Sequence, residues 1–309
     1  MVCSRDIERA AELIRAGGLV AFPTETVYGL GANALDRAAV RRIFQVKGRP
    51  VTSPLIVHVD SPEMARRLAR EWPPEAERLA QRFWPGPLTL VLPKAACIPA
   101  EVTAGLDTVG LRMPAHPVAL ELIRTAGVPI AAPSANRFTE LSPTTAEHVR
   151  RALGDSVDMI LDGGPTQVGL ESTVLWLAGP PRLLRPGMIL RRQIEEVIGP
   201  VEVAGRIEDG LPHPSPGLHP RHYSPRTPLV LVTDGVLPPG RGAYLWIGRP
   251  AAAARSVRMP SDAVAYAARL YDTLHTLDAE GWDWIAVERP PELPEWIPVL
   301  DRLRRAAGR

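Results

Sequence analysis

A scattered set of side chains in this sequence has the means to hold an anion. Hydroxyls stand at Thr24, Thr26, Tyr28, Ser53, Thr108, Ser134, Ser142 and Ser172, cations at Lys47, Arg49, Arg112 and Arg185, and an imidazole at His58. Hydroxyl donors and guanidinium forks, with no carboxylate pair among them, suit neither glycoside hydrolysis nor a carboxylate-rich metal cage. They suit a small polar ligand held beside a phosphate. The familiar phosphate and nucleophile spacings are missing: there is no GxxxxGK[ST] loop, no GxSxG elbow and no HExxH. GLGAN at 29–33 does not complete a dinucleotide fingerprint.

Each of these residues also has a plainer reading. Loop Ser and Thr commonly close turns or cap helices. Lys47 ends a helical pattern, where a cation complements the helix dipole by about 0.3–1 kcal/mol. His58 can be a hydrogen-bonded structural histidine, and Arg112 and Arg185 can be surface ion pairs. Composition weighs on Lys47: of 36 basic residues only Lys47 and Lys94 are lysines. A chain that otherwise writes Arg places a compact point charge at that position.

The elements that must position these groups follow from periodicity. Ser4 caps a helix with Ile7, Ala10, Ala11 and Ile14 on one face, and Leu19 to Phe22 is a short buried strand ended by Pro23. Asp36 caps a second helix with Val40, Ile43 and Phe44 inward and Gly48 as its stop, leaving Lys47 and Arg49 at the helix end. Pro54 to Val59 alternates as a strand that carries His58. Strands are expected at Leu88–Leu92, Thr108–Met113, Val128–Ala132 and Met159–Leu161, with helices at Val118–Thr125, Thr145–Leu153 and Arg191–Ile198. Ser134-Ala135-Asn136-Arg137 follows one apolar run directly, the place where open α/β sheets carry their working loops.

Alternating β and α signals predict an α/β fold with a twisted open sheet over residues 1–203. Residues 204–228, rich in proline and poor in periodicity, read as a linker that closes over the site. Strands at Leu229–Val232, Ala243–Ile247 and Trp284–Val287 with a helix at Ala263–Leu277 predict a small Rossmann-like α/β domain over residues 229–309. The length of 309 residues accommodates two such units. A net charge of +2 argues against a dedicated nucleic-acid binder. Cys3 and Cys97 form neither a disulfide framework nor a metal spacing. With no signal peptide and no run long enough for a bilayer, a cytoplasmic protein without membrane contact is expected.

Six motifs in order resemble the YrdC/Sua5 family of threonylcarbamoyl-adenylate synthases: PTETVYGLG at 23–31, KGRP at 47–50, PLIVHV at 54–59, WPGPLT at 84–89, APSAN at 132–136 and EST at 171–173. SPG at 215–217 and RHYSP at 221–225, followed by the second domain, are similar to the longer Sua5 branch. The resemblance implies a nucleotidyltransferase that turns L-threonine, bicarbonate or CO2, and ATP into threonylcarbamoyl-AMP and pyrophosphate. The product would serve modification of adenosine 37 in tRNAs that read codons beginning with A. It further implies Mg2+ on the ATP phosphates with no metal ligand from the protein, a downstream threonylcarbamoyl transferase as partner, and a weak tRNA contact.

Carried over by motif, the resemblance assigns catalysis to Lys47, Arg49, Ser134 and Asn136. It assigns L-threonine to Thr26, His58, Arg112, Ser134 and Ser172, and ATP to Arg49, Ser53, Thr108, Ala132, Ser142, Arg185 and Tyr223. Two places depart from the family pattern. Ser53 stands where Asn is common, and the linker reads SPGLHPRHY instead of SPGMKYRHY. The competing expectation is a non-catalytic double-stranded RNA or tRNA binder that uses the same concave surface.

Overall fold

The computed structural model describes residues 2–204 and 222–308. Most of the expected linker, including SPG at 215–217, lies outside the described residues. The second helix is set by its local signals as the sequence suggests, whereas the first is capped at Cys3, one residue before the expected Ser4. Asp36 accepts the backbone N–H groups of Ala38 and Ala39 at 2.8 and 3.2 Å, which starts a helix at Arg37. Gly48 ends it in the left-handed conformation, φ 61°, a turn that a side chain would strain. The helix buries Val40, Ile43 and Phe44 and leaves Lys47 in its last turn.

Ten strands form the larger sheet among the described residues. They are β1 (Val20–Pro23), β2 (Tyr28–Asn33), β3 (Ile56–His58), β4 (Leu88–Pro93), β5 (Thr108–Arg112), β6 (Ile130–Ala131), β7 (Met159–Ile160), β8 (Thr173–Trp176), β9 (Arg182–Arg185) and β10 (Glu202–Val203). Their order is β10-β9-β8-β4-β5-β3-β6-β2-β1-β7. The sheet is mixed. β3 and β5 run parallel with His58 level with Arg112, while β6 is antiparallel to both β2 and β3. The register thus brings His58, Arg112 and the loop after β6 to one region. The apolar core combines sheet residues such as Leu30, Val57, Leu90 and Leu111 with the inner faces of the flanking helices.

A second, parallel sheet contains β11 (Leu229–Val232), β12 (Gly242–Trp246), β13 (Arg255–Arg258) and β14 (Trp284–Glu288), in the order β11-β14-β12-β13. Helices Ala263–Ala279 and Ile297–Ala306 pack on one face through Tyr266, Leu270, Leu274, Val299 and Leu303. That cluster also takes in Val27, Leu141, Leu170 and Tyr223, so the smaller unit packs against the larger without a break. Gly169 marks the closest approach: a Cβ there would lie 2.4 Å from the carbonyl oxygen of Ala267. Two elements differ from expectation. β13 is a charged edge strand without an apolar period, and the helix at Ile297 begins with a proline that reads locally as a break. No helix among the described residues is long and apolar enough to cross a membrane.

Candidate functional site

The turn between β1 and β2 places two hydroxyls in contact. Thr24 and Thr26 share a hydrogen bond of 2.8 Å between their Oγ1 atoms, and Thr24 also donates to the Val27 carbonyl at 2.7 Å. Across from them His58 ends β3, its ring edge-on to Phe22 at 6.2 Å. Burial, reinforced by the adjacent Arg112 guanidinium, pushes the His58 imidazole down to about 3, so the ring is neutral at any ordinary pH. Arg112 donates Nε to the Gly86 carbonyl at 3.3 Å and pairs Nη2 with Glu25 Oε1 at 2.8 Å. Glu25 is fixed in turn by the N–H of Ala115 at 3.0 Å.

Lys47 is buried and turns inward from its helix. Its Nζ donates to the carbonyl of Ser134 at 2.6 Å and to the carbonyl of Asn136. Burial, then the charge of Arg49, holds the ammonium well below its usual value. These contacts tie the helix end to the loop after β6, so Lys47 does more than complement a dipole. Asn136 donates Nδ2 to the carbonyls of Arg137 and Glu140 at 2.8 and 2.9 Å, and its buried Oδ1 has no hydrogen-bond partner among the described residues. Arg49 wraps Ser53, donating Nη2 to its hydroxyl at 2.7 Å and to the Pro54 carbonyl at 3.1 Å. Burial lowers Arg49 to about 10.

The third wall comes from β8 and β9. Ser172, just before β8, shares a 2.8 Å hydrogen bond with Thr89. Arg185, at the end of β9, donates Nε to the Ser172 carbonyl at 3.0 Å and Nη2 to its hydroxyl at 3.1 Å. Next to it, Glu171 accepts from Ser142 Oγ at 2.5 Å, Arg302 Nε at 2.7 Å and Tyr271 Oη at 3.3 Å. Tyr223 is buried and has a left-handed backbone, φ 62°; half-buried Thr139 shares that conformation with φ 71°. Ser224, the next residue, donates its N–H to the Thr139 carbonyl at 2.9 Å and its hydroxyl to the Ala306 carbonyl at 3.2 Å. The segment around Tyr223 is thereby pinned to both units.

These walls line one open-mouthed cavity. Two family models divide the chain between them. The Sua5/YciO/YrdC model, described as "Telomere recombination", matches residues 12–187. A model described as "Threonylcarbamoyl-AMP synthase, C-terminal domain" matches residues 189–308. The chain belongs to the Sua5/YciO/YrdC family. It is 46% identical to the threonylcarbamoyl-AMP synthase of Pyrococcus abyssi, over 98% of this chain and 94% of that one. To the Bacillus subtilis threonylcarbamoyl-AMP synthase it is 44% identical, over 98% and 93%. The crystal structure of P. abyssi Sua5 complexed with L-threonine superposes with a TM-score of 0.93 at 43% identity, covering 100% of this chain and 96% of that one.

Of the residues that the Sua5/YciO/YrdC motifs single out, Thr26, Arg49, His58, Arg112, Ala132, Ser134, Ser172, Arg185 and Tyr223 line the cavity. Lys47, Ser53, Asn136 and Ser142 stand behind that lining, each bonded to a neighbour described above. Thr108 opens β5 four residues before Arg112, about 13 Å away along the strand, and does not line the cavity. Sequence reasoning missed Glu25, Glu171, Tyr271 and Arg302. Glu25 and Glu171 lie inside quoted motifs, TET and EST, but a search for hydroxyls and cations passes over carboxylates. Tyr271 and Arg302 carry no local signal, because their partner is more than 90 residues away in the chain.

Proposed function

We propose that the chain makes threonylcarbamoyl-AMP from L-threonine, bicarbonate or CO2, and ATP. One observation carries the reading. Arg49, Arg112 and Arg185, only 7, 4 and 3 % exposed, converge on one cavity, and its lining carboxylate, Glu171, is already held by Arg302. Three guanidiniums gathered around one cavity, of which Arg112 is paired with Glu25, raise its potential, and the cavity therefore favours an anionic ligand. Threonine carboxylate and nucleotide phosphates supply that charge.

In this reading Arg112, oriented by Glu25, takes the threonine carboxylate as a fork, and the Thr24–Thr26 pair and Ser172 meet its polar side chain. Threonine is then separated from valine because a lost hydroxyl would leave buried partners unpaired. The amine adds CO2 to become a carbamate, and a carbamate oxygen attacks the α-phosphorus of ATP as pyrophosphate leaves. Two unit charges about 4 Å apart repel by about 4 kcal/mol at an effective dielectric of 20. Arg49 and Arg185 offset this repulsion, and Lys47 holds the Ser134–Asn136 loop against the reacting groups. Neutral His58 packs beside the substrate without adding charge.

Among the described residues no cluster of three His, Cys, Asp or Glu could hold a metal. Mg2+ in this reading rides on the ATP phosphates with its own waters, as that ion commonly does. A threonylcarbamoyl transferase acting on tRNA is the proposed consumer of the product, with tRNA contact weak. A double-stranded RNA binder fits the cavity less well, since arginines this buried cannot reach the phosphates of a duplex. The test is incubation with threonine, bicarbonate and ATP while pyrophosphate is followed; absence of threonine-dependent release sinks the proposal.

A further inference from the structure

Arg302 lies in the helix Ile297–Ala306 of the smaller unit, yet it is 1 % exposed and points into the larger one. Its guanidinium donates Nε to Glu171 Oε2 at 2.7 Å, Nη2 to the Glu171 carbonyl at 3.4 Å, and Nη1 to Asp301 at 2.7 Å. The same group lies over the Tyr223 ring, 5.2 Å from its centroid. Arg302 therefore touches both a lining carboxylate and a lining aromatic ring, without lining the cavity itself.

We infer that Arg302 is a positioning residue through which the smaller unit sets the nucleotide end of the cavity; this rests on the reading of that cavity as an ATP site. Glu171 is a full negative charge beside Ser172, whose hydroxyl and carbonyl hold Arg185. Left without Arg302, the Glu171 carboxylate loses its guanidinium donor and competes with phosphate for the lining cations. With Arg302 in place, together with Ser142 and Tyr271, both Glu171 oxygens carry donors and the pull of the carboxylate on Arg185 is weakened. Removing one partner of a buried ion pair exposes the cost of the other, so the carboxylate is the group to watch.

The experiment is calorimetric titration of the full-length protein with ATP and, separately, with L-threonine. R302M should weaken ATP binding by about tenfold or more, and threonine binding by less, because of the proposed threonine contacts only Ser172 adjoins Glu171. The double variant R302M/E171Q should recover most of the ATP affinity, since the uncompensated charge is gone. A general loosening of the fold would not be rescued in this way. Unchanged ATP affinity in R302M, or a double variant no better than the single, overturns the inference. Should R302M fail to fold, R302K keeps the charge and loses the Nε donor: about a threefold loss of ATP affinity is expected, and none would overturn the inference. A wild-type protein that binds ATP but forms no pyrophosphate would sink the proposed reaction alone. One that binds no ATP would sink both.

Discussion

The Lys47 ammonium donates to the backbone carbonyl of Ser134 at 2.6 Å, and so fastens the end of one helix to the loop that leaves the centre of the sheet. A lysine in this place holds two segments that are far apart in the chain, and its charge stands next to Arg49. K47M should lower the rate of pyrophosphate formation by at least about 100-fold. It should also lower the melting temperature, because two carbonyls lose a charged donor. A variant with near-normal turnover would reduce Lys47 to a structural strut.

Arg112 is held by Glu25 on one side and by the Gly86 carbonyl on the other. R112K preserves the charge against Glu25 but loses the planar fork. The expected result is a rise in KM for threonine of about 10- to 100-fold, with KM for ATP within about twofold. Steady-state kinetics with each substrate varied decide it, and an equal change in both constants would argue against a carboxylate fork.

Acid should destabilise the protein. Burial pushes both His58 and His148 down to about 3, well below the ordinary histidine value of 6.5. The folded state keeps both rings neutral, so protons favour the unfolded chain. The stability is complete above pH 6.5 and is lost as pH falls from there towards 3. For His58 alone the loss by pH 5 is about 2 kcal/mol. His148 stacks on His275 at 3.9 Å where the two units meet, away from the cavity lining. H148Q should therefore melt with a shallower dependence on pH between 7 and 5; an identical slope would exclude His148 as a contributor.

Gly169 has φ 75° and leaves no room for a side chain against the Ala263–Ala279 helix. G169V should cost about 1–3 kcal/mol and shift that helix, which carries Tyr271, away from Glu171. Thermal melting and ATP titration read the two effects. A variant with wild-type melting would show that the units are not packed at this point.

The fold was legible wherever a local pattern and a local signal agree. Asp36 and Gly48 bracket their helix in sequence as in structure, and the alternation around His58 predicts which side of the strand the ring takes. Arg112 and Arg185 could not be told from surface ion pairs by spacing, because burial depends on strand register across the whole sheet. The Lys47 contacts join residues 87 and 89 positions apart, and Arg302 reaches Glu171 across 131. No periodicity reports on contacts of that length. The motifs name the residues at the cavity without naming the groups that hold them, since supporting contacts leave no mark on spacing.

The left-handed backbone at Thr139 offers an engineering handle. A β-branched residue at φ 71° carries a conformational cost of about 1–2 kcal/mol, and its carbonyl is what receives the Ser224 N–H. Thr139 does not line the cavity, unlike Tyr223 with its similar backbone. T139G or T139N would relax the turn while leaving every ligand-facing group in place. The turn that accepts the Ser224 N–H would then carry less strain, and the protein should melt at a correspondingly higher temperature.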